Sequence, residues 1–251
     1  DVKGKTLFSL FKRKKTSSEK ISQLKDILGT TDKYDTIVAS TSVELPKEYK
    51  LLHNISKSDI VARHAMAYLK KRGLTVIDVL KYQIGYCEKG RYANKIIIPT
   101  FNTDGTLDYF VARSFENDPI RKYDAPSSDK NIIGFENMIN WDVPVVLCEG
   151  AFDAIAIKRN AIPLFGKTIS KKLMKKLVTS EIKKVYLALD NDAIKSTYKI
   201  AEQLLQAGKK LFVVELDNKD PSDMGFALFT NKIQESQEFN FSSLFNLKLS
   251  L

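Results

Sequence analysis

The spacing of apolar positions changes near residue 143. Between Asp59 and Arg72, apolar or aromatic side chains at 60, 61, 65, 68 and 69 recur at helical intervals, with Ser58 placed to cap the start and Gly73 just past the end. Thr75 caps a second, short helical pattern through Val76, Ile77, Val79 and Leu80, after which the chain from Gln83 to Tyr86 becomes extended. Ile96-Ile97-Ile98-Pro99 and Leu107 through Arg113 read as two strands, joined by a hairpin in which Asp104-Gly105 supplies the positive φ of a tight turn. This half is predicted to be a β-rich module preceded by helices.

After Trp141, short apolar runs alternate with helical periodicity. The pattern is Val143 to Cys148, a helix over 151–159, Ile162 to Leu164, a helix over 170–178, Val185 to Leu189, a helix over 193–207, and Leu211 to Leu216. Such alternation predicts a mainly parallel α/β sheet. Its buried strands read as continuous apolar runs, as Val145-Val146-Leu147 does. The expected organisation is a basic connector over 1–50, an α+β subdomain over 51–143, a sheet domain over 144–230 and an apolar segment over 231–251. The connector holds the cluster Lys12-Arg13-Lys14-Lys15 and a polar stretch from Thr30 to Ser42, and is expected to be loosely structured or a linker. At the other end Phe239, Phe241, Leu244, Phe245, Leu247, Leu249 and Leu251 either pack as a last helix or strand or dock on a partner; packing is favoured.

Composition narrows the function classes. With 251 residues and 43% hydrophobic content the chain should fold rather than remain disordered. No run approaches the roughly 20 apolar residues that span a bilayer, and the basic amino-terminal stretch lacks a signal-like apolar core. A cytoplasmic protein without a membrane partner is expected. Two cysteines, Cys87 and Cys148, and two histidines, His53 and His64, assemble neither a disulfide framework nor a zinc site, so no zinc is expected in this chain. Forty Lys plus Arg against 30 Asp plus Glu leave a net charge of +10, which favours nucleic acid or another polyanion as partner.

Ligands of such sheets bind beyond the carboxyl ends of the strands. Acids stand at three of those ends: Glu149-Gly150 with Asp153 a turn later, Asp190-Asn191-Asp192, and Asp217 followed by Asp220-Pro221-Ser222-Asp223. Any one of them reads equally well as a helix cap or a solvated loop residue. Together they would repel one another unless a cation intervened. Oxygen ligands without histidine or thiolate select Mg²⁺ or Mn²⁺, and two such ions suit an in-line phosphoryl displacement.

At these residues the chain resembles the Toprim catalytic domain of DnaG-type bacterial and phage primases, topoisomerases and some nucleases. That motif is a strand ending in Glu-Gly with an Asp four residues after the Glu, then a strand ending in Asp-x-Asp. Glu149-Gly150-Ala151-Phe152-Asp153 and Asp190-Asn191-Asp192 match it, and Asp220-Pro221-Ser222-Asp223 resembles the primases' Asp-Pro-Asp with one residue inserted. Upstream, Tyr68-Leu69 with Arg72-Gly73-Leu74, Ile84-Gly85-Tyr86, Asn94 through Pro99, Val111-Ala112-Arg113 and Lys122-Tyr123 with Pro126 are similar to the primase core, in collinear order.

The resemblance implies an amino-terminal α+β basic subdomain followed by a Toprim, Rossmann-like, mainly parallel sheet domain. It implies template-directed joining of ribonucleoside triphosphates into a short RNA primer on single-stranded DNA, passing through an RNA primer/DNA hybrid in a bacterial cell or phage-infected host. Glu149, Asp190 and Asp192 become the catalytic candidates. Glu149, Asp153, Asp190, Asp192, Asp220 and Asp223 become candidate ligands of two Mg²⁺ or Mn²⁺ ions. Arg91, Asn94, Lys95, Arg113 and Lys122 are expected across a groove from the acids, holding triphosphate or template, with Lys171 and Lys175 on an exposed helical face as further nucleic-acid contacts. Family members usually carry a zinc-binding domain ahead of this core, and under this resemblance the partner that the apolar carboxyl end could dock on is a replicative helicase. The alternatives are a Toprim-family nuclease and a non-catalytic DNA-binding Toprim module. Gly166-Lys167-Thr168 imitates the end of a phosphate-binding loop, but Ala161 stands where that loop needs glycine, and Gly166 is read as serving a turn.

Overall fold

The computed structural model describes residues 43–56, 58–217 and 220–249. The basic cluster at 12–15, the polar stretch at 30–42 and Leu251 lie outside the described residues. The first sheet is antiparallel in sequence order: β1 (Tyr49–Leu51), β2 (Gly85–Cys87), β3 (Lys95–Phe101), β4 (Leu107–Ser114) and β5 (Tyr123–Asp124). Between β1 and β2 in the chain come α1 (Ile60–Lys71) and α2 (Val76–Lys81). Asp59, one residue beyond the expected Ser58, caps α1, its Oδ1 accepting from the Ala62 N–H at 2.8 Å. Ser58 is engaged with Ser56, hydroxyl to hydroxyl at 2.7 Å. Thr75 caps α2 through a reciprocal bond pair with Asp78, as the Thr-x-x-Asp spacing predicts.

Ile96, Ile97 and Ile98 are all buried because β3 is covered on both faces. Ile96 and Ile98 join the main apolar cluster, while Ile97 meets Cys87, Tyr92, Phe110 and Ala112 on the other side. The described part of the expected linker corrects the reading of residues 1–50: Tyr49 and Lys50 are strand, paired with Cys87 and Tyr86. Gly85 is needed there, since a Cβ would lie 2.5 Å from the Lys50 carbonyl oxygen.

The second sheet is built from β6 (Val145–Cys148), α3 (Ala151–Ile157), β7 (Ala161–Pro163), α4 (Lys171–Thr179), β8 (Lys184–Ala188), α5 (Ile194–Gln206), β9 (Lys210–Val213), α6 (Pro221–Glu235), β10 (Glu238–Phe239) and α7 (Phe241–Leu249). Its order is β10-β9-β8-β6-β7, with β7, β6, β8 and β9 parallel and β10 antiparallel at the edge. Alternate residues of β6 serve two layers: Val146 and Cys148 pack with α3 and α6, Val145 and Leu147 with α4 and α5. Leu244 of α7 joins the second layer, while Phe241, Phe245 and Leu249 are exposed. The α3–α6 layer also carries Leu69, Tyr82, Tyr86 and Ile98 from the first sheet and its helices, so one apolar cluster crosses residue 143.

Candidate active site

From β6 the chain moves to β7 on one side, and β8 then pairs with β6 on the other. The strand order therefore reverses between β6 and β8, and a crevice opens beyond their carboxyl ends. Glu149 follows β6 directly and Asp190 follows β8 by two residues, so both acids stand at that crevice. One carboxylate oxygen each from Glu149, Asp190 and Asp192 lies within 4.8 Å of the others, and the Asp190 N–H donates to Glu149 Oε1 at 3.2 Å.

Burial, and after it the Asp190 charge, raises the Glu149 pKa above the usual carboxylate range. Asp190 is raised by burial and then by Asp220 and Asp192. Three hard oxygen donors, without histidine or thiolate among them, make a group able to hold a divalent metal ion. Lys167 forms an ion pair with Asp192 at the rim.

Asp153 also lines the cleft, and both of its carboxylate oxygens are engaged. It sits in the first turn of α3, where its Oδ2 accepts from the Gly150 N–H at 3.1 Å and its Oδ1 from the Ser222 N–H at 3.2 Å. Arg72 reaches the same turn, its Nη1 donating to Ser222 Oγ at 3.2 Å. Both carboxylate oxygens thus brace the loops that carry Glu149 and Asp220. Asp220 lines the cleft at the start of α6. The position two after it is Ser222, buried and turned toward Asp153; Asp223, about 100° further round the helix, is exposed and does not line the cleft.

Burial, with the Asp220 charge adding to it, pushes the Asp153 pKa from 3.8 to about 6. The protonated form is therefore favoured by folding, and its stabilising contribution is lost as pH rises between those two values, on the order of 2–3 kcal/mol in all. In denaturant melts from pH 4 to pH 7, the stability of the parent relative to Asp153→Asn should fall across that window. Parallel pH curves for the two proteins would sink this assignment.

The cleft has a volume of about 650 Å³, and its opposite wall comes from β4, the 122–125 segment and Lys130. Of the basic residues expected there, Lys122 lines it. Arg113 is buried behind it: its Nε donates to the Tyr68 hydroxyl at 2.8 Å and its guanidinium lies 4.4 Å from the centre of the Tyr123 ring, which faces the cleft. Arg91 fixes the same wall from outside, donating to Asp124 Oδ1 at 2.9 Å and to the Ala125 carbonyl at 3.2 Å. Asn94, at φ +55°, donates to Glu116 Oε1 at 2.9 Å, and Lys95 pairs with Ser114 at the start of β3; neither lines the cleft. Lys171 and Lys175 are exposed on α4 and lie outside it.

Two lysines at the site escaped the sequence reading. Lys130 lines the cleft with its Nζ donating to the Phe165 carbonyl at 3.0 Å, and Lys167 meets Asp192. Both sit in loops without periodicity, where only the three-dimensional turn shows their direction.

A family profile described as Toprim-like matches residues 146–224. Uncharacterized protein MG010 of Mycoplasma genitalium is 33% identical over 156 residues, which cover 57% of this chain and 68% of that protein. A DNA primase of Thermotoga maritima is 25% identical over 230 residues, covering 78% of this chain and 40% of the primase, so the chain spans about two fifths of that relative's length. Among solved structures, the DnaG primase catalytic domain bound to single-stranded DNA superposes with a TM-score of 0.64 at 18% identity, covering 76% of this chain and 77% of that one. The chain belongs to the family of the mycoplasmal MG010 protein, and its fold is a Toprim core of the DnaG primase type.

Proposed function

We propose that the chain is a primase-type nucleotidyltransferase, joining ribonucleoside triphosphates into short RNA on a single-stranded DNA template. The observation that carries this reading is the convergence of Glu149, Asp190 and Asp192, the first two of which line a cleft that Lys122 and Lys130 also line. In the reaction a 3′-hydroxyl oxygen bonds the α-phosphorus of the incoming nucleotide, the hydroxyl proton departs, and the bond to pyrophosphate breaks. Glu149, held by the Asp190 N–H and with its pKa raised, is placed to take that proton. Asp190 and Asp192, with Asp220 beside them, would hold Mg²⁺ or Mn²⁺, two ions by this reading, which stabilise negative charge on the attacking and leaving oxygens. Lys122 and Lys130 face that charge as point cations. Asp153 acts on the site through Gly150 and Ser222.

The test is incubation of the protein with single-stranded templates of mixed sequence, labelled ribonucleotides and Mg²⁺ or Mn²⁺. Short template-dependent RNA is the expected product. Shortened template strands would instead identify a Toprim nuclease. Salt-dependent binding that yields neither product, and that survives loss of the acids, would identify a DNA-binding module.

A further inference from the structure

Lys167 belongs to two surfaces at once. On one side its ammonium pairs with Asp192 Oδ2, an oxygen of the acidic group. On the other it lines a groove between α4 and α5 with Lys171, Lys199 and Ser196. Gly166, at φ +146° and lining the cleft, turns the chain so that the next side chain reaches the rim; an L side chain rarely adopts that backbone angle. Just before it, the Phe165 carbonyl holds Lys130, so the 165–167 segment has a lysine on either flank.

An oxygen held by an ammonium is not free for a metal ion. In the Lys167–Asp192 pair the carboxylate is largely open to water and the lysine side chain about half so; such a pair contributes little and a four-carbon stem reorients readily. A phosphate lying along residues 165–167 would meet both lysines.

We propose that Lys167 exchanges partners: it neutralises Asp192 while no divalent ion is held there, and passes to a phosphate of a bound polyphosphate when it gives that carboxylate up. The inference rests on the nucleotide-transfer reading of the cleft and names the residue that binds the phosphate tail. It also makes Lys167 a competitor of the metal at Asp192.

The experiment uses the whole chain as parent, Lys167→Met and Lys167→Arg. Mn²⁺ binding is followed by electron paramagnetic resonance, and binding of inorganic triphosphate in the presence of Ca²⁺ by calorimetry. Lys167→Met is expected to bind Mn²⁺ about 1.5-fold to fivefold tighter, the span of an exposed ion pair. It should bind triphosphate about tenfold more weakly, as loss of a charged hydrogen bond implies. Lys167→Arg should keep most of the triphosphate affinity. Unchanged Mn²⁺ affinity in Lys167→Met, or unchanged triphosphate affinity, overturns the exchange. A parent chain that binds neither Mn²⁺ nor triphosphate overturns the nucleotide-transfer reading itself, and this inference with it.

Discussion

Replacing Asp190 by Asn should lower RNA synthesis by about a hundredfold to a thousandfold, the range seen when an electrostatic element of a transfer site is removed, while leaving the protein at least as stable as the parent. The two halves of that expectation have one cause. Asp190 is raised in pKa by burial and by the charges of Asp220 and Asp192, and its carboxylate lies against that of Glu149. Each of these contacts opposes folding at neutral pH and serves the protein only by holding positive charge. Asparagine keeps the shape of the side chain and leaves the bond from the 190 N–H to Glu149 Oε1 in place. It removes the charge on which cation binding depends. Glu149→Gln should behave likewise, since its amide oxygen can still accept that bond. The check pairs primer synthesis with thermal melts at neutral pH. A variant within tenfold of parental activity would remove Asp190 from the transfer site. A variant that loses activity together with several degrees of melting temperature would make its role structural.

How much of this could be read from the sequence depends on how local the cause was. Strand β6 was legible because a parallel strand covered on both faces must be apolar throughout, and all of Val145–Cys148 is buried. The acids at Glu149 and Asp190 were legible for the complementary reason, since the first polar residues after such strands fall at their carboxyl ends. Distant pairings left no such mark. Strand β1 is three residues long, carries Lys50 and pairs with residues 34 positions or more away, so its extended form depends on β2. The employment of Asp153 was hidden because the Ser222 N–H that takes its Oδ1 lies 69 residues downstream. Arg113 shows the limit of alternation as a guide: its place in an apolar strand pattern was visible, but the rings of Tyr68 and Tyr123 that enclose it come from elsewhere in the chain. The change of rhythm at residue 143 marks a real change of sheet type, yet the apolar residues on its two sides form a single cluster.

That shared cluster leads to the largest expected effect on stability, from Phe135→Ala. Phe135 is buried, with its ring 4.8 Å from that of Tyr82 at the end of α2 and 6.4 Å from that of Phe165 after β7. Its N–H donates to Thr100 Oγ1 at 2.5 Å, which ties the turn to the end of β3. One residue therefore joins the helices of the first half and the wall of the cleft through its ring, and the antiparallel sheet through its backbone. Truncation empties that junction and should cost about 3–5 kcal/mol, since the strands around it are too fully paired to close the space. For a domain of this size that corresponds to a fall in melting temperature of roughly 10–15 °C. Differential scanning calorimetry, with far- and near-ultraviolet circular dichroism as separate probes, should show the parent and the variant each unfolding in one transition, displaced as a whole. A cost below about 1 kcal/mol would mean that the site collapses freely, outside the usual range for a buried aromatic. A variant that melts in two steps would mean that the segments before and after residue 143 fold independently, with the cluster across them contributing little. The position of Phe165 favours the single transition, because its ring packs on Tyr109 of β4 and on Phe135 while lining the cleft that holds Glu149 and Asp190. The cleft and the core are then parts of one packing unit, and a loss in the core should also loosen the wall that faces the acids.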